Sequence, residues 1–246
     1  LLRVFALVLA VFDIIRLIAI KELPVQTPVK KINLRALLVL PWKQPAYLRS
    51  VLVVVLWSLV VNLPGSYYTV YLLRELSVDY SFIMLISTFN ILVLLAFTFV
   101  WRKIFLAYHW LKPLSVGILL FAPHYVLLSF VTRDLIFLYP IAVIWSFLCT
   151  CGINLAFSSV AFINIPKENQ TLYIGFYSTA NFLAALTAAF IGRTFVTSLS
   201  GLRFTIWGVP FGEKQLLMMI VGVLMLGVGL GIRAIARANI KQGLEH

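Results

Sequence analysis

Apolar residues in this chain run in long unbroken stretches, not in the half-polar periodicities of soluble helices and strands. Seven stretches reach or approach the roughly 20 apolar residues that a helix needs to cross a bilayer core. They are residues 4–20, 50–72, 82–101, 113–131, 135–163, 172–191 and 216–235. The first is interrupted by Asp13 and Arg16, whose spacing lets them pair on one helix face near the inner interface. The fifth is long enough to tilt or to project beyond the hydrocarbon. One stretch breaks the pattern. Residues 62–76, NLPGSYYTVYLLREL, follow the run VLVVVLWSLVV, yet carry Asn62, a Pro64–Gly65 break and three tyrosines. A helix that only had to sit in lipid gains nothing from them.

Uncharged polar residues form stripes on four of the spans. In 135–163, Ser146, Thr150, Asn154 and Ser158 recur at every fourth position, which is one helix face. Tyr173, Tyr177 and Asn181 do the same in 172–191, Ser87 and Asn90 with Thr98 line 82–101, and Tyr67 and Tyr71 share a face beside the break in 50–72. The spans 113–131 and 216–235 are nearly clean, and Gly222, Gly227, Gly229 and Gly231 in the latter suit close helix packing. A single Ser or Thr in a membrane helix is commonly a packing residue. Four polar faces beside a broken helix point instead to a cavity, because irregular backbone at membrane depth needs protein or water around it.

Composition agrees with the pattern. The chain is 62% hydrophobic and 11% charged, with a mean hydropathy of +1.03. Placing the 21–49 loop in the cytoplasm puts Lys21, Lys30, Lys31, Arg35, Lys43, Arg49, Arg102, Lys103, Lys112, Lys167, Arg233, Arg237 and Lys241 inside. Only Arg3, Arg74, Arg133, Arg193, Arg203 and Lys214 then lie outside, as the positive-inside rule requires. The net charge of +12 therefore reports orientation and anionic lipid headgroups; no basic segment carries a nucleic-acid-binding signature. The 21–49 loop mixes basic and apolar residues as a surface-lying amphipathic helix does. The 192–215 loop is the longest on the outside, and its aromatics suit the interface.

Candidate chemistry is sparse. His109, His124 and His246 are scattered, and no catalytic motif, metal cluster or phosphate-binding glycine loop is present, so no enzyme, cofactor or metal is expected. Cys149 and Cys151, two apart on a helix, point apart and read as buried thiols. Asn169-Gln170-Thr171 matches a glycosylation sequon but falls on the inner side. Every acidic residue between 50 and 235 lies in or beside a loop, so a proton-coupling carboxylate is not expected here. Residue 1 is Leu immediately before an apolar span, and the final Leu-Glu-His reads as a tag scar. Both ends are therefore expected to be artificial, with preceding sequence missing.

An inner amphipathic loop followed by six spans, in two sets of three that open with Pro64–Gly65 and Gly152, resembles the C-terminal half of a major facilitator superfamily (MFS) transporter. Residues 62–86, NLPGSYYTVYLLRELSVDYSFIMLI, are similar to the family's stretch from seventh to eighth helix in many bacterial members. The loop VWRKIFLAYHWLKP keeps the family's positive charge in Arg102, Lys103 and Lys112 but lacks its acid. The resemblance implies an all-α polytopic fold: 1–20 as the last helix of a missing N-terminal half, 21–49 as an inter-domain loop, 50–235 as a six-span bundle of two inverted three-helix repeats, and 236–246 as tail. In the family the seventh, eighth, tenth and eleventh helices line the cavity, and the ninth and twelfth are peripheral; the polar stripes fall on the former. The implied function is secondary-active or facilitative transport of a small polar organic solute, such as a sugar, by alternating access in a bacterial inner membrane. The expected substrate-binding residues are Asn62, Tyr67, Tyr71, Asn90, Trp145, Asn154, Tyr177 and Asn181. Expected partners are the solute, membrane lipids, and the missing half or a second copy of this one. The alternative is a stand-alone, non-catalytic membrane module that self-associates through the Gly227-x-x-x-Gly231 face.

Overall fold

The computed structural model describes residues 11, 16, 40–65, 67–160, 162, 165–166, 169–206 and 208–241. The rest of the expected span 4–20, with Asp13, most of the 21–49 loop, and residues 242–246 lie outside them. The chain divides into two compact units, Leu1–Asn33 and Leu34–His246, and every described residue from Leu40 onward belongs to the second.

Away from water a backbone must satisfy its own hydrogen bonds, so the apolar runs become helices. After a 3-10 turn at Leu40–Lys43 come α1 (Pro45–Asn62), the short α2 (Tyr67–Val70) running into a π-helical turn (Tyr71–Glu75), α3 (Tyr80–Ala107), α4 (Leu111–Ser129), α5 (Leu138–Val160), α6 (Gln170–Ser198) and α7 (Glu213–Lys241). A two-stranded hairpin, β1 (Arg203–Ile206) and β2 (Val209–Gly212), sits between α6 and α7. Counting Pro45–Glu75 as one interrupted crossing, six helical segments have the length and hydropathy of membrane spans. Their exposed surface includes Phe89, Leu92, Leu95, Phe99, Phe182, Leu186, Phe190 and Leu230, far more apolar area than water tolerates on a monomer. This is a multi-pass membrane protein.

Local signals explain most boundaries. Pro45 starts α1 at a position where its missing N–H costs nothing. Asp79 caps α3 by accepting from the Ser81 N–H at 2.8 Å. The break after α1 is real: Gly65 takes φ +49°, and its N–H turns back to the Asn62 carbonyl at 3.2 Å. The loop expected at 192–215 is a loop only in part. Helix α6 continues to Ser198, a short turn leads into the hairpin, whose own turn holds Gly208 at φ +80°, and α7 begins at Glu213.

Contacts between helices fix their directions. Along α1 and α6, Tyr47 meets Tyr173, Ser58 meets Asn181 and Leu63 meets Gly192, so the two run parallel. Along α3 and α5, Phe82 meets Tyr139, Thr98 meets Cys151 and Trp101 meets Gly152, again parallel. The pairs Gly117–Ile153, Leu120–Trp145 and His124–Ala142 make α4 antiparallel to α5. Leu119–Gly229, Val126–Gly222 and Ser129–Met219 make α4 antiparallel to α7. Strictly alternating crossings demand all four results.

The packing partners have a further regularity. α4 with α7 is the most extensive pair, followed by α4 with α5, α1 with α6, α3 with α5, and α1 with α7. Exchanging the first three spans for the last three maps α4–α7 onto itself and turns each of the other four pairs into another of the same set. The counterpart of the α6–α7 contact fails: α3 and α4 do not pack extensively, and a groove lies between them. The spans expected to be peripheral, α4 and α7, are the most enclosed in this bundle, with 61% and 44% of their membrane-length windows buried. The corresponding values for α3 and α6 are 6% and 11%. Small residues explain why. Lipid supplies no hydrophobic drive between helices, so close backbone approach decides. A Cβ on Gly222 or Gly229 would press into Val126 or Leu119 of α4 at 2.8 and 2.7 Å. Gly227 and Gly231, by contrast, face open space.

Candidate functional site

Two of the four polar stripes lie on faces that also pack against a neighbouring helix. Tyr173 and Asn181 lie on the α6 face that buries Ala184, Ala188 and Gly192 against α1. Ser58 Oγ donates to the Asn181 carbonyl at 3.2 Å, and Asn62 Nδ2 donates back to the Ser58 carbonyl at 2.8 Å and to its Oγ at 3.3 Å. Asn62 and Asn181 are thus joined through Ser58 across the α1–α6 seam. Tyr177 extends this seam to α5, its hydroxyl donating to the Phe157 carbonyl at 3.4 Å. Backbone carbonyls freed by the Pro64 break do not all open onto space: Leu63 O abuts Gly192, where a Cβ would come within 1.9 Å.

The α3 stripe is similar. Asn90 is half-buried, about two turns from Ile83 and about three from Trp101 on the face that α3 turns to α5. Ser87 and Thr98 bond the carbonyls four residues earlier, as lone hydroxyls in lipid-exposed helices do.

The α5 stripe differs. Ser146, Thr150 and Ser158 also bond their own helix, at 2.7, 2.6 and 2.9 Å. Asn154, however, is exposed, and its side chain makes no hydrogen bond to another described residue. A bare carboxamide in hydrocarbon is costly, so this face calls for water, solute or another part of a protein.

The remaining expected residues separate from this group. Tyr67 is half-buried and packs on the main core. Tyr71 is held at the far end of the bundle: its hydroxyl donates to the Val131 carbonyl at 2.8 Å and accepts from Gln215 Nε2 at 3.1 Å. Gln215 also donates to the Pro210 carbonyl and accepts from the Gly212 N–H, tying the hairpin into the same cluster. Arg133 donates to the Glu75 carbonyl at 3.1 Å, and Lys214 pairs with the Glu75 carboxylate. Trp145 does not join Asn154. It stands nine residues before it, about two and a half turns, and so on the opposite face of α5, its Nε1 donating to the Leu120 carbonyl at 2.7 Å. The eight expected residues therefore do not line one common cavity within this unit.

Three features have no signal in the sequence. Tyr68, between the rings of Tyr71 and Tyr139, has a buried hydroxyl with no partner among the described residues. Trp101 wedges against Gly152, where a Cβ would come within 2.2 Å of its ring. His124 is buried among Phe121 and Tyr125 with Nδ1 2.8 Å from the Ala142 carbonyl; a carbonyl only accepts, so Nδ1 carries the hydrogen. Among the described residues no three His, Cys, Asp or Glu side chains converge as a metal site would require. No family model, curated protein or solved structure matches the chain.

Proposed function

We propose that this chain is the C-terminal half, with one preceding span, of an MFS-type transporter that carries a small polar organic solute across a cell membrane by alternating access. It is read as a non-enzymatic protein that works without a cofactor and is completed by an N-terminal half. The observation that carries the reading is the uncovered amide of Asn154, set on an apolar span beside Ser158 and Thr150. A face of this kind is useful only if water and solute, or another domain lining the same water-filled path, lie against it. The self-exchanging packing pattern supports the two-repeat architecture. The Pro64–Gly65 break followed by a π-helical turn supports a gate, since both are sites where a membrane helix can bend without losing its whole bond ladder. Asn62, Tyr67, Asn90, Tyr177 and Asn181 remain site candidates beside Asn154; Tyr71 is assigned to the gate and Trp145 is placed outside the path.

The test is flux of labelled sugars and other small polar solutes into proteoliposomes holding the full-length protein. Asn154→Ala should abolish flux while the melting temperature stays within about 2 °C of wild type, the behaviour of an exposed side chain. An unchanged flux, or a loss of flux matched by a large drop in melting temperature, defeats the assignment. One observation favours the second reading, a self-associating module: Gly227 and Gly231 present a bare small-residue face on α7. In that case Gly227→Leu should abolish dimer cross-linking, and no solute should cross.

A further inference from the structure

The groove between α3 and α4, floored by α5, encloses about 560 Å³ and lies on the face of α5 opposite Asn154. Its walls are Phe97, Val100 and Ile104 on one side and Pro113, Val116 and Leu120 on the other. Three details decide what it can hold. First, both indoles on it have spent their only polar atom: Trp101 Nε1 donates to the Leu148 carbonyl at 2.8 Å and Trp145 Nε1 to the Leu120 carbonyl at 2.7 Å. The tryptophans therefore offer flat apolar surface and no donor for a polar solute. Second, the floor is built, not left over: only a glycine at position 152 lets the Trp101 ring lie against α5. Third, the one charged residue of the lining is Lys112, at the mouth, its Nζ held 4.4 Å above the Tyr108 ring. That mouth is at the basic end of the bundle, which it shares with Arg49, Arg102, Lys103, Arg233 and Arg237; the described acidic residues Glu75, Asp79, Asp134 and Glu213 all belong to the other end.

The geometry points to a seat for one anionic phospholipid, an acyl chain lying along Trp101 and Trp145 and its phosphate against Lys112. This role is independent of solute transport, because the groove and the Asn154 face are on opposite sides of α5. A bilayer supplies the ligand at high concentration, and a basic mouth between helices selects the anionic headgroup over a zwitterionic one.

The test uses tryptophan fluorescence of the full chain in phosphatidylcholine nanodiscs carrying increasing fractions of phosphatidylglycerol brominated on its acyl chain. A saturable quenching phase is expected at low fraction, above the linear background of lipids that merely brush the surface, and brominated phosphatidylcholine should lack it. Trp145→Phe should shrink that phase. Lys112→Gln should raise the half-saturating fraction about five-fold, the effect of one basic residue near an anionic surface. Val116→Phe, at an exposed position, should fill the groove without adding a fluorophore and remove the phase with the melting temperature retained. Quenching that stays linear, that is equal for the two lipids, or that survives both the Lys112 and Val116 variants overturns the proposal. Protection of both tryptophans at every fraction overturns it too, since another part of the protein would then cover the groove.

Discussion

Gly192 and Gly227 are both glycines of apolar helices, and a single added methyl should affect them in opposite ways. At Gly192 the new carbon would come within 1.9 Å of the Leu63 carbonyl, a backbone atom that cannot rotate aside, so α1 and α6 must part. Gly192→Ala is expected to cost about 1–3 kcal/mol. At Gly227 the methyl meets nothing, and alanine's better helix propensity should leave stability unchanged or raise it by up to about 1 kcal/mol. Thermal unfolding in detergent reads both, and equal shifts would mean that α1 and α6 do not approach as described. His124 makes a separate residue-scale prediction. His124→Ala removes a buried ring and its bond to the Ala142 carbonyl, so the melting temperature should fall, but on the proposed transport function any pH dependence of solute flux should persist. Loss of that dependence would make His124 a coupling residue. None of these distinctions is legible in sequence. Gly222 and Gly229 pack on α4 while Gly227 and Gly231 face outward, yet all four belong to one apolar run, because what separates them is a neighbour from a distant span.

At the scale of elements, the spans are readable because hydropathy along a membrane helix is a one-dimensional signal. Their lengths are not, since α3 and α6 continue as helices past the apolar windows, to Ala107 and Ser198. The hairpin reads in sequence as interfacial loop because its aromatic residues suit both roles; what fixes it is Phe211, buried against Phe130, and the three bonds of Gln215. Tyr71 shows the same limit for the site. Its spacing from Tyr67 suggests a solute face, but its hydroxyl is engaged by the end of α4 and the start of α7. Tyr71→Phe should therefore cost about 1–3 kcal/mol, as it leaves a buried carbonyl and a buried amide short of a partner. Glu75→Gln, at the partly exposed pair with Lys214, should cost under about 1 kcal/mol. If the two variants melt alike, the buried network is not what holds that end together.

For the molecule as a whole, the alternation of crossings makes a directional prediction. With Cys149 and Cys151 replaced by alanine, single cysteines at Lys103 and at Thr205 should react with an impermeant thiol reagent from opposite sides, with Thr205 labelled on intact cells. Labelling of Lys103 alone inverts the orientation; labelling of both rules out alternating spans. Sequence carries this much because basic residues collect at one end, and that bias needs no tertiary knowledge. It carries less of the site because a polar stripe has the same spacing whether it meets solute or the next helix. Asn181 and Asn154 look alike in sequence; one is half-buried on the seam where Ser58 bonds its main-chain carbonyl, and the other is exposed.

The cluster that joins Tyr71, Val131, Gln215 and the Arg133–Glu75 contact also sets a thermal requirement on any motion of that end. These bonds converge on one π-helical turn, so the end cannot open by loosening them one at a time. On the proposed transport function, opening would carry a large activation enthalpy, and flux should fall steeply on cooling. Gln215→Ala, which severs the hairpin from the cluster, should flatten the Arrhenius plot even where it leaves the rate at the growth temperature nearly unchanged.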